Sequence, residues 1–534
     1  MVQNIDASSQ SRHKPATLPT LIDAATANDR DAPFLLCTDR DWTYGQFSDA
    51  VDNMARGLVS LDIKLGDRIA IAAPNSAQWL ITWFAAAKIG AVLVTLNVAY
   101  RDHEFDYMLN QSGAVMIVCA ARDGEFNFVE FLDHLRPQIP TVRHFVFIDA
   151  DSSSSSFSYL HWDDVPASAD DDSSAPRPAV DPAHPAVILY TSGTTGHPKG
   201  ATLTHGSILA SAQAQIAHLA QRADDVTIGH MPLNHVGGMT CTVAAAMVAG
   251  SKVALLPRYS PTTALQAIAR HRVTIFNGVP TMYAMMMGLP AFADANMSSV
   301  RTCVIGGSNV EPALAQRIID AFPGARLANL YGLSETSGGC IMSAAGDDVD
   351  TLVSTLGVPI GGFQVRITDD AHHPLPVGSE GELEVRGTCV ASGYWQSPDE
   401  SAETFLSDGW LATGDIGVLR ADGRVTLRGR KKEMYVRSGY NVYPVEIENL
   451  LAQQKSVAMS AVIGIPDDLY GEVGHAFVLP ASGHDVNLDA LYEVCAARLA
   501  KYKIPAKIII VDALPLTPSG KIRKALLRTD PTAP

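Results

Sequence analysis

Strand-like and helix-like segments take turns through the first part of this chain, and that rhythm limits the fold more than any other feature. Asp67-Arg68-Ile69-Ala70-Ile71-Ala72, Ala91-Val92-Leu93-Val94 and Val115-Met116-Ile117-Val118 are short apolar runs. The segments between them, 76–88 and 103–111, have a helical pattern, and so does 44–60, opened by Thr43-Tyr44-Gly45-Gln46-Phe47. Apolar strands separated by helices call for a parallel sheet covered on both faces. The alternation resumes after residue 200, with strands expected at 253–256, 273–276 and 302–305 and helices at 206–220, 262–270 and 312–322. Further on, Gly381-Glu382-Leu383-Glu384-Val385-Arg386-Gly387 and Gly393-Tyr394-Trp395 suggest a β-rich third subdomain. Residues 444–534 read as a compact α+β domain: helix 444–453, strands 459–464 and 474–480, helix 487–500, strand 507–511. A chain of 534 residues is too long for one core, so about two to four units are expected.

A net charge of −16 argues against a nucleic-acid surface and against a polybasic membrane anchor. The seven cysteines are scattered without a Cys-x-x-Cys pair, which fits reduced thiols better than disulfides or zinc. Residues 1–20 are polar and lack a signal core. The apolar segment 79–95 is interrupted by Lys88 and Gly90 and suits a helix followed by a strand better than a membrane span. The expected location is cytoplasmic. Asp151–Ser156 and Ser168–Pro176, rich in Ser and Asp, read as a mobile connector.

The chemistry centres on Tyr190-Thr191-Ser192-Gly193-Thr194-Thr195-Gly196-His197-Pro198-Lys199-Gly200, which follows the strand-like run Ala186-Val187-Ile188-Leu189. Glycines let backbone N–H groups turn toward a polyanion, the hydroxyls add donors, and Lys199 adds positive charge. The spelling is not that of the P-loop. Composition alone also fits an ordinary surface loop; the ordered string ending in Pro-Lys-Gly sets it apart.

Residues 190–200 resemble the phosphate-binding signature of the AMP-forming acyl-adenylating superfamily, which includes acyl- and aryl-CoA synthetases, luciferase and peptide-synthetase adenylation domains. Further motifs of that family arrive in order. Met231-Pro232-Leu233-Asn234-His235-Val236-Gly237-Gly238 resembles its Pro-x-x-His-x-x-Gly loop, which places His235 near the carboxylate, although a lone His is often structural. Gly306-Gly307-Ser308 resembles the small-residue loop against adenine. Asn329-Leu330-Tyr331-Gly332-Leu333-Ser334-Glu335-Thr336 resembles Tyr-Gly-x-Thr-Glu, with Ser334 in place of Thr. There the Tyr331 ring can stack on a base, the Asn329 amide can read an exocyclic amine, Ser334 can reach phosphate and Glu335 can hold Mg²⁺. A helix start with Ser334 as N-cap fits the same residues. Trp410-Leu411-Ala412-Thr413-Gly414-Asp415 resembles the ribose motif; a carboxylate suits two ribose hydroxyls, and Asp415 is otherwise a turn residue.

The charge run Gly429-Arg430-Lys431-Lys432-Glu433 marks a linker. The resemblance makes Arg430 a ribose or phosphate contact and Lys432 the hinge between residues 1–429 and 430–534. Ser438-Gly439-Tyr440 then belong to a loop that meets CoA, and Lys521, after the Pro518-Ser519-Gly520 turn, bridges the acyl carboxylate and the α-phosphate. The fold implied is α/β: a large N-terminal domain of layered parallel β-sheets flanked by helices with a β-rich subdomain, and a small mobile C-terminal α+β domain.

On this reading Lys521, His235, Thr191 and Lys199 are catalytic. Thr191, Ser192, Gly193, Thr194, Thr195, Gly196, Lys199, Gly307, Ser308, Asn329, Tyr331, Gly332, Ser334, Asp415 and Arg430 bind ATP or AMP, and Glu335 is the metal ligand. The acyl pocket falls to His235, Val236, Gly237, Gly238, Met239, Gly306, Leu333, Gly338 and Gly339. They bring no Arg or Lys for a second carboxylate, which suggests a monocarboxylic, apolar acid, aliphatic, alicyclic or aryl. Aryl-activating members often carry an aromatic or polar side chain at the position of Gly237, so glycine there points to a widened channel. The co-substrates implied are the acid, ATP with Mg²⁺, and coenzyme A, without nucleic acid or integral membrane association; a homodimer is the one assembly considered. The chain ends just after the lysine motif without a carrier domain, which favours a CoA ligase over an enzyme that loads a separate carrier protein.

Overall fold

The computed structural model describes residues 15–150, 158–166, 178–191, 198–307, 310–481, 483–516 and 522–529. Ser/Asp-rich segments 151–156 and 168–176 lie outside these residues.

The alternating segments fold into two large sheets. A seven-stranded sheet runs, edge to edge, Lys199–Thr204, Pro185–Thr191, Val92–Thr95, Arg68–Ala72, Met116–Ala120, His144–Ile148, Leu160–His161. A nine-stranded sheet runs Val358–Pro359, Gly338–Met342, Arg326–Leu333, Thr302–Gly306, Ile275–Gly278, Val226–Gly229, Lys252–Leu255, Pro33–Leu36, Trp42–Thr43. Their central strands are parallel, in register Ile69↔Met116 and Arg68↔Val92 in one and Phe276↔Cys303 in the other.

Helices fill the space between the sheets and cover both outer faces. Tyr44–Ser60, Ala77–Lys88 and His205–Leu219 share one core with Ile69 and Ile71 of one sheet and Val253 and Leu255 of the other. Tyr44–Ser60 starts where its sequence indicates: Thr43 and Gln46 form a capping box, and Phe47, Val51, Met54 and Leu58 form the buried stripe. Asp102–Ser112 and Phe128–Leu135 cover the other face of the first sheet, and Pro261–His271, Pro280–Met287 and Pro312–Ala321 that of the second.

Three features depart from the sequence reading. Helix Leu18–Asn28 begins within the polar stretch 1–20 and runs on where no element is expected; Thr17 caps it, and Leu18, Leu21 and Ile22 are buried. Lys199–Thr204 is an antiparallel strand returning beside Pro185–Thr191, so the phosphate loop joins two strands of a hairpin. Tyr394 and Trp395 are not part of the β-rich subdomain's sheet. That antiparallel sheet comprises Gln364–Thr368, Glu380–Arg386, Trp410–Leu419 and Val425–Arg430. The Tyr394 segment runs instead along the outer edge of Lys199–Thr204, where Thr202 N–H donates to Gly393 O at 2.9 Å and Trp395 N–H to Gly200 O at 2.7 Å.

The C-terminal part is a separate five-stranded sheet, including Val457–Asp467, Gly471–Pro480 and Lys507–Ile510, packed by helices Pro444–Ala452 and Leu488–Arg498. Among the described residues no helix is long and apolar enough to cross a membrane. The seven cysteines form no disulfide.

Candidate active site

The site forms where the two sheets and the third subdomain meet. Thr191 and Lys199 face each other across the hairpin, and the Thr191 hydroxyl lies 3.5 Å from Lys199 O. Ser192, Gly193, Thr194, Thr195 and Gly196 of the proposed phosphate cradle, Ser308, and the proposed catalytic Lys521 lie outside the described residues. Lys199 Nζ sits 5.3 Å from the centre of the Tyr394 ring, whose hydroxyl donates to Glu335 Oε1 at 2.8 Å. Burial, then the Glu335 carboxylate, push the Tyr394 phenol well up, so it stays a donor. Tyr394 thus joins the cationic hairpin to the carboxylate expected to hold metal. Its role was missed because its neighbours lie far away in sequence.

Strand Arg326–Leu333 carries the adenine candidates into a turn at Ser334–Thr336. Asn329 is buried, and its Nδ2 donates to Thr355 O at 3.2 Å, which leaves Oδ1 as the acceptor for an amine. Ser334 is not an N-cap: Leu333 takes that position, and Thr336 Oγ1 accepts from Leu333 N–H at 2.8 Å. Gly332 packs on the facing strand so tightly that a Cβ would lie 2.0 Å from Gly338 O, which explains glycine there. Gly307, with φ +82°, turns the chain out of strand Thr302–Gly306.

Asp415 is 2% exposed. Its Oδ2 accepts from the Tyr331 hydroxyl at 2.6 Å, and its Oδ1 lies 2.7 Å from Arg430 Nε across the strand pair. Burial pushes the Asp415 carboxyl up, against the pull of Arg430. A carboxylate has about four lone-pair directions, so two remain for ribose hydroxyls.

The His235 loop is pinned from the opposite sheet. Asn75 Nδ2 lies within 3.3 Å of Gly229 O, Met231 O and Leu256 O, and Asn75 Oδ1 accepts from Leu233 N–H at 2.9 Å. This single amide fixes the loop, a role without a local sequence signal. His235 caps the turn that follows, its Nδ1 accepting from Gly237 N–H at 3.1 Å. The turn Val236–Gly238 runs into a π-helical stretch, Met239–Ala244, a distortion common at functional sites. Val236 and Met239 belong to the core between the sheets, and a Cβ on Gly238 would meet Pro232 O at 2.3 Å. Gly237 is the position of this turn with room beside His235: an added Cβ would lie 3.4 Å from His235 Nδ1 and 3.0 Å from flexible Met231 Cε. Strand register brings Gly306 opposite Leu330, Gly339 opposite Gly332 and Gly338 opposite Leu333.

The linker enters from Arg430. Lys431 Nζ pairs with Glu382 and Asp370, each at 2.9 Å. Burial, then the Lys199 ammonium, lower the Lys432 ammonium. Ser438 and Gly439, with φ +52° and +81°, form the tip between Tyr435–Arg437 and Tyr440–Val442, and Tyr440 stacks on Tyr502 at 4.6 Å. An isolated antiparallel bridge pairs Leu516 with Ile522, the described residues on either side of Lys521.

Layered α/β sheets with a β-rich subdomain and a separate C-terminal lobe are the architecture of an adenylating ligase. The chain belongs to the AMP-binding enzyme family, whose model matches residues 22–395, and the family's C-terminal domain matches residues 446–521. It is 33% identical over 486 residues to a feruloyl-CoA synthase of Amycolatopsis sp, covering 91% of this chain and 93% of the relative. It is also 33% identical over 489 residues to an indoleacetate–CoA ligase of Aromatoleum aromaticum, covering 91% and 92%. The structure of the anthranilate CoA ligase AuaEII with anthranoyl-AMP superposes with a TM-score of 0.86 at 26% identity, over 96% of each chain. The protein is an AMP-forming acid–thiol ligase.

Proposed function

We propose that the protein converts a monocarboxylic acid to its CoA thioester through an acyl-AMP, releasing AMP and pyrophosphate. The observation that carries this reading is the convergence of Lys199, the Tyr394–Glu335 pair and the Tyr331–Asp415–Arg430 group around the phosphate hairpin. A carboxylate oxygen attacks the α-phosphorus of ATP and pyrophosphate leaves, turning a poor leaving group into AMP. Such phosphoryl transfer needs positioning and charge neutralisation more than a side-chain nucleophile. Asp415 accepts from the ribose hydroxyls, Lys199 and the hairpin donors hold the triphosphate, and Lys521 serves to stabilise the charge that develops at the reacting oxygens. The CoA thiol then attacks the acyl carbonyl and AMP departs.

No cluster of three His, Cys, Asp or Glu side chains suits a metal among the described residues. Magnesium keeps few protein ligands and many phosphate ones, so Glu335 Oε2 fits it as a single carboxylate. When bound, the ion neutralises triphosphate charge.

In this reading residues 430–534 turn about Lys432 between the two half-reactions, bringing first Lys521 and then the Ser438-Gly439-Tyr440 tip to the site. The ligases for feruloyl, indoleacetate and anthranilate groups support an aryl acid as the first class to assay. In the test, Lys521→Ala should lose adenylation about 10²–10³-fold yet convert supplied acyl-AMP and CoA within a fewfold of wild type. Equal loss in both half-reactions would contradict this division. Replacing CoA with a carrier protein separates the second reading, carrier loading.

A further inference from the structure

One buried side-chain acceptor on the inner face of the nine-stranded sheet has no donor. Asn277 lies in strand Ile275–Gly278 and is 8% exposed. Its Nδ2 is 2.6 Å from Thr242 Oγ1, and the Thr242 hydroxyl is 2.7 Å from Gly237 O. The direction of this chain is fixed from its far end. A backbone carbonyl only accepts, so Thr242 must donate to Gly237 and its oxygen must accept from the amide NH₂. Asn277 Oδ1 is therefore the atom turned away from Thr242, and it is buried with no hydrogen-bond partner.

Strand geometry gives the direction it faces. Side chains alternate along a strand. Phe276 packs on the outer helices with Tyr283, so Asn277 faces the opposite way. Asn277 pairs with Val304, two residues before Gly306 on the same face, and Gly306 pairs with Leu330. The amide thus lies on the sheet face covered by the π-helical turn, between Gly306 and Gly237. The Thr240 hydroxyl of that turn is a second buried group without a partner.

We propose that Asn277 is a specificity residue, its Oδ1 accepting a hydrogen bond from a hydroxyl, phenol or N–H on the body of the acid, with Thr242 positioning the amide. This rests on the acyl-CoA ligase reading and narrows it: the substrate is a donor-bearing acid rather than a plain hydrocarbon one. A site built to pair with a substrate donor discriminates against the analogue lacking it.

The test uses the full chain, ATP–pyrophosphate exchange and matched aryl and alicyclic acids carrying a hydroxyl, its methyl ether or a methyl group at the same position. Wild type should favour the best hydroxyl acid over both partners by about tenfold or more in kcat/KM. Asn277→Leu should bring that ratio near one, and Thr242→Val should lower it while Asn277 is still present. The ratio is measured within one enzyme, so a lower folded fraction does not mimic the effect, and the wild-type ratio stands if a variant fails to fold. Exchange without preference for any donor-bearing acid, or an Asn277→Leu ratio equal to wild type, overturns the proposal alone. No exchange with any acid overturns the ligase reading and this proposal with it.

Discussion

The proposed nucleotide side and the proposed acyl side of this site are made from opposite materials. On the nucleotide side the charged groups are already engaged: Asp415 with Tyr331 and Arg430, Glu335 with Tyr394. On the proposed acyl side Gly237 has room beside His235, and Asn277 Oδ1 and Thr240 Oγ1 are buried without partners. The triphosphate is the same in every turnover, so its contacts can be preassembled, which is what electrostatic stabilisation requires. On the proposed reading the acid is recognised by space and by a polar atom whose partner it brings.

Substitutions on one side should leave the other side's property alone. The largest effect is expected for Asp415→Ala, which strips the buried hydroxyl and guanidinium of their shared acceptor. Exchange kcat/KM for ATP should fall roughly a hundredfold or more, while the ranking of acids stays as in wild type. A changed ranking would break the separation. Gly237→Tyr should do the reverse, cutting kcat/KM for the bulkiest accepted acids about tenfold relative to the smallest, with ATP affinity by calorimetry unmoved. An identical size profile would remove Gly237 from the acyl wall. Tyr394→Phe should cost adenylation about five- to tenfold, the scale of one ordinary hydrogen bond, and raise the magnesium needed for half-maximal exchange. A magnesium requirement unaltered by the change would detach Tyr394 from Glu335's role.

The last effect touches neither side of the site at neutral pH and concerns stability alone. His230, at the end of strand Val226–Gly229, is 1% exposed, and burial, outweighing a contact with the Asn277 backbone, lowers its pKa to about 3. The folded value is below the ordinary 6.5, so the unfolded chain binds the extra proton. His230 thus weakens the fold as pH drops from about 6.5 toward 3, by about 2 kcal/mol at pH 5. His230→Leu should flatten the fall in Tm between pH 7 and 5; a slope unchanged from wild type would show the ring protonated in the fold.

What the sequence discloses follows the same division. The strand–helix rhythm, Asp415, Glu335 and Lys199 are legible because the chemistry needs charged or hydroxyl groups in short ordered strings. Tyr394, Asn75 and Asn277 are not, because each works through partners far away in sequence: Tyr394 through Glu335, Asn75 through Leu256, Asn277 through Thr242. The returning strand Lys199–Thr204 was hidden by its own motif, since Lys-Gly-Ala-Thr-Leu-Thr reads first as the end of a loop. Ser334 shows the converse error, an N-cap residue by type whose position the Leu333–Thr336 bond overrides. The helix Leu18–Asn28 carries an ordinary start signal at Thr17, Pro19 and Thr20 that a search for signal peptides passes over.

The account as a whole reduces to one coupled balance: acid and ATP consumed, AMP and thioester formed, at a single nucleotide site. Full-length protein with Mg²⁺, α-labelled ATP, CoA and the acid panel measures it directly. The expected result is one AMP and one pyrophosphate for each thioester, both dependent on the acid. Nucleotide turnover to ADP, or AMP released at the same rate without any acid, would contradict it.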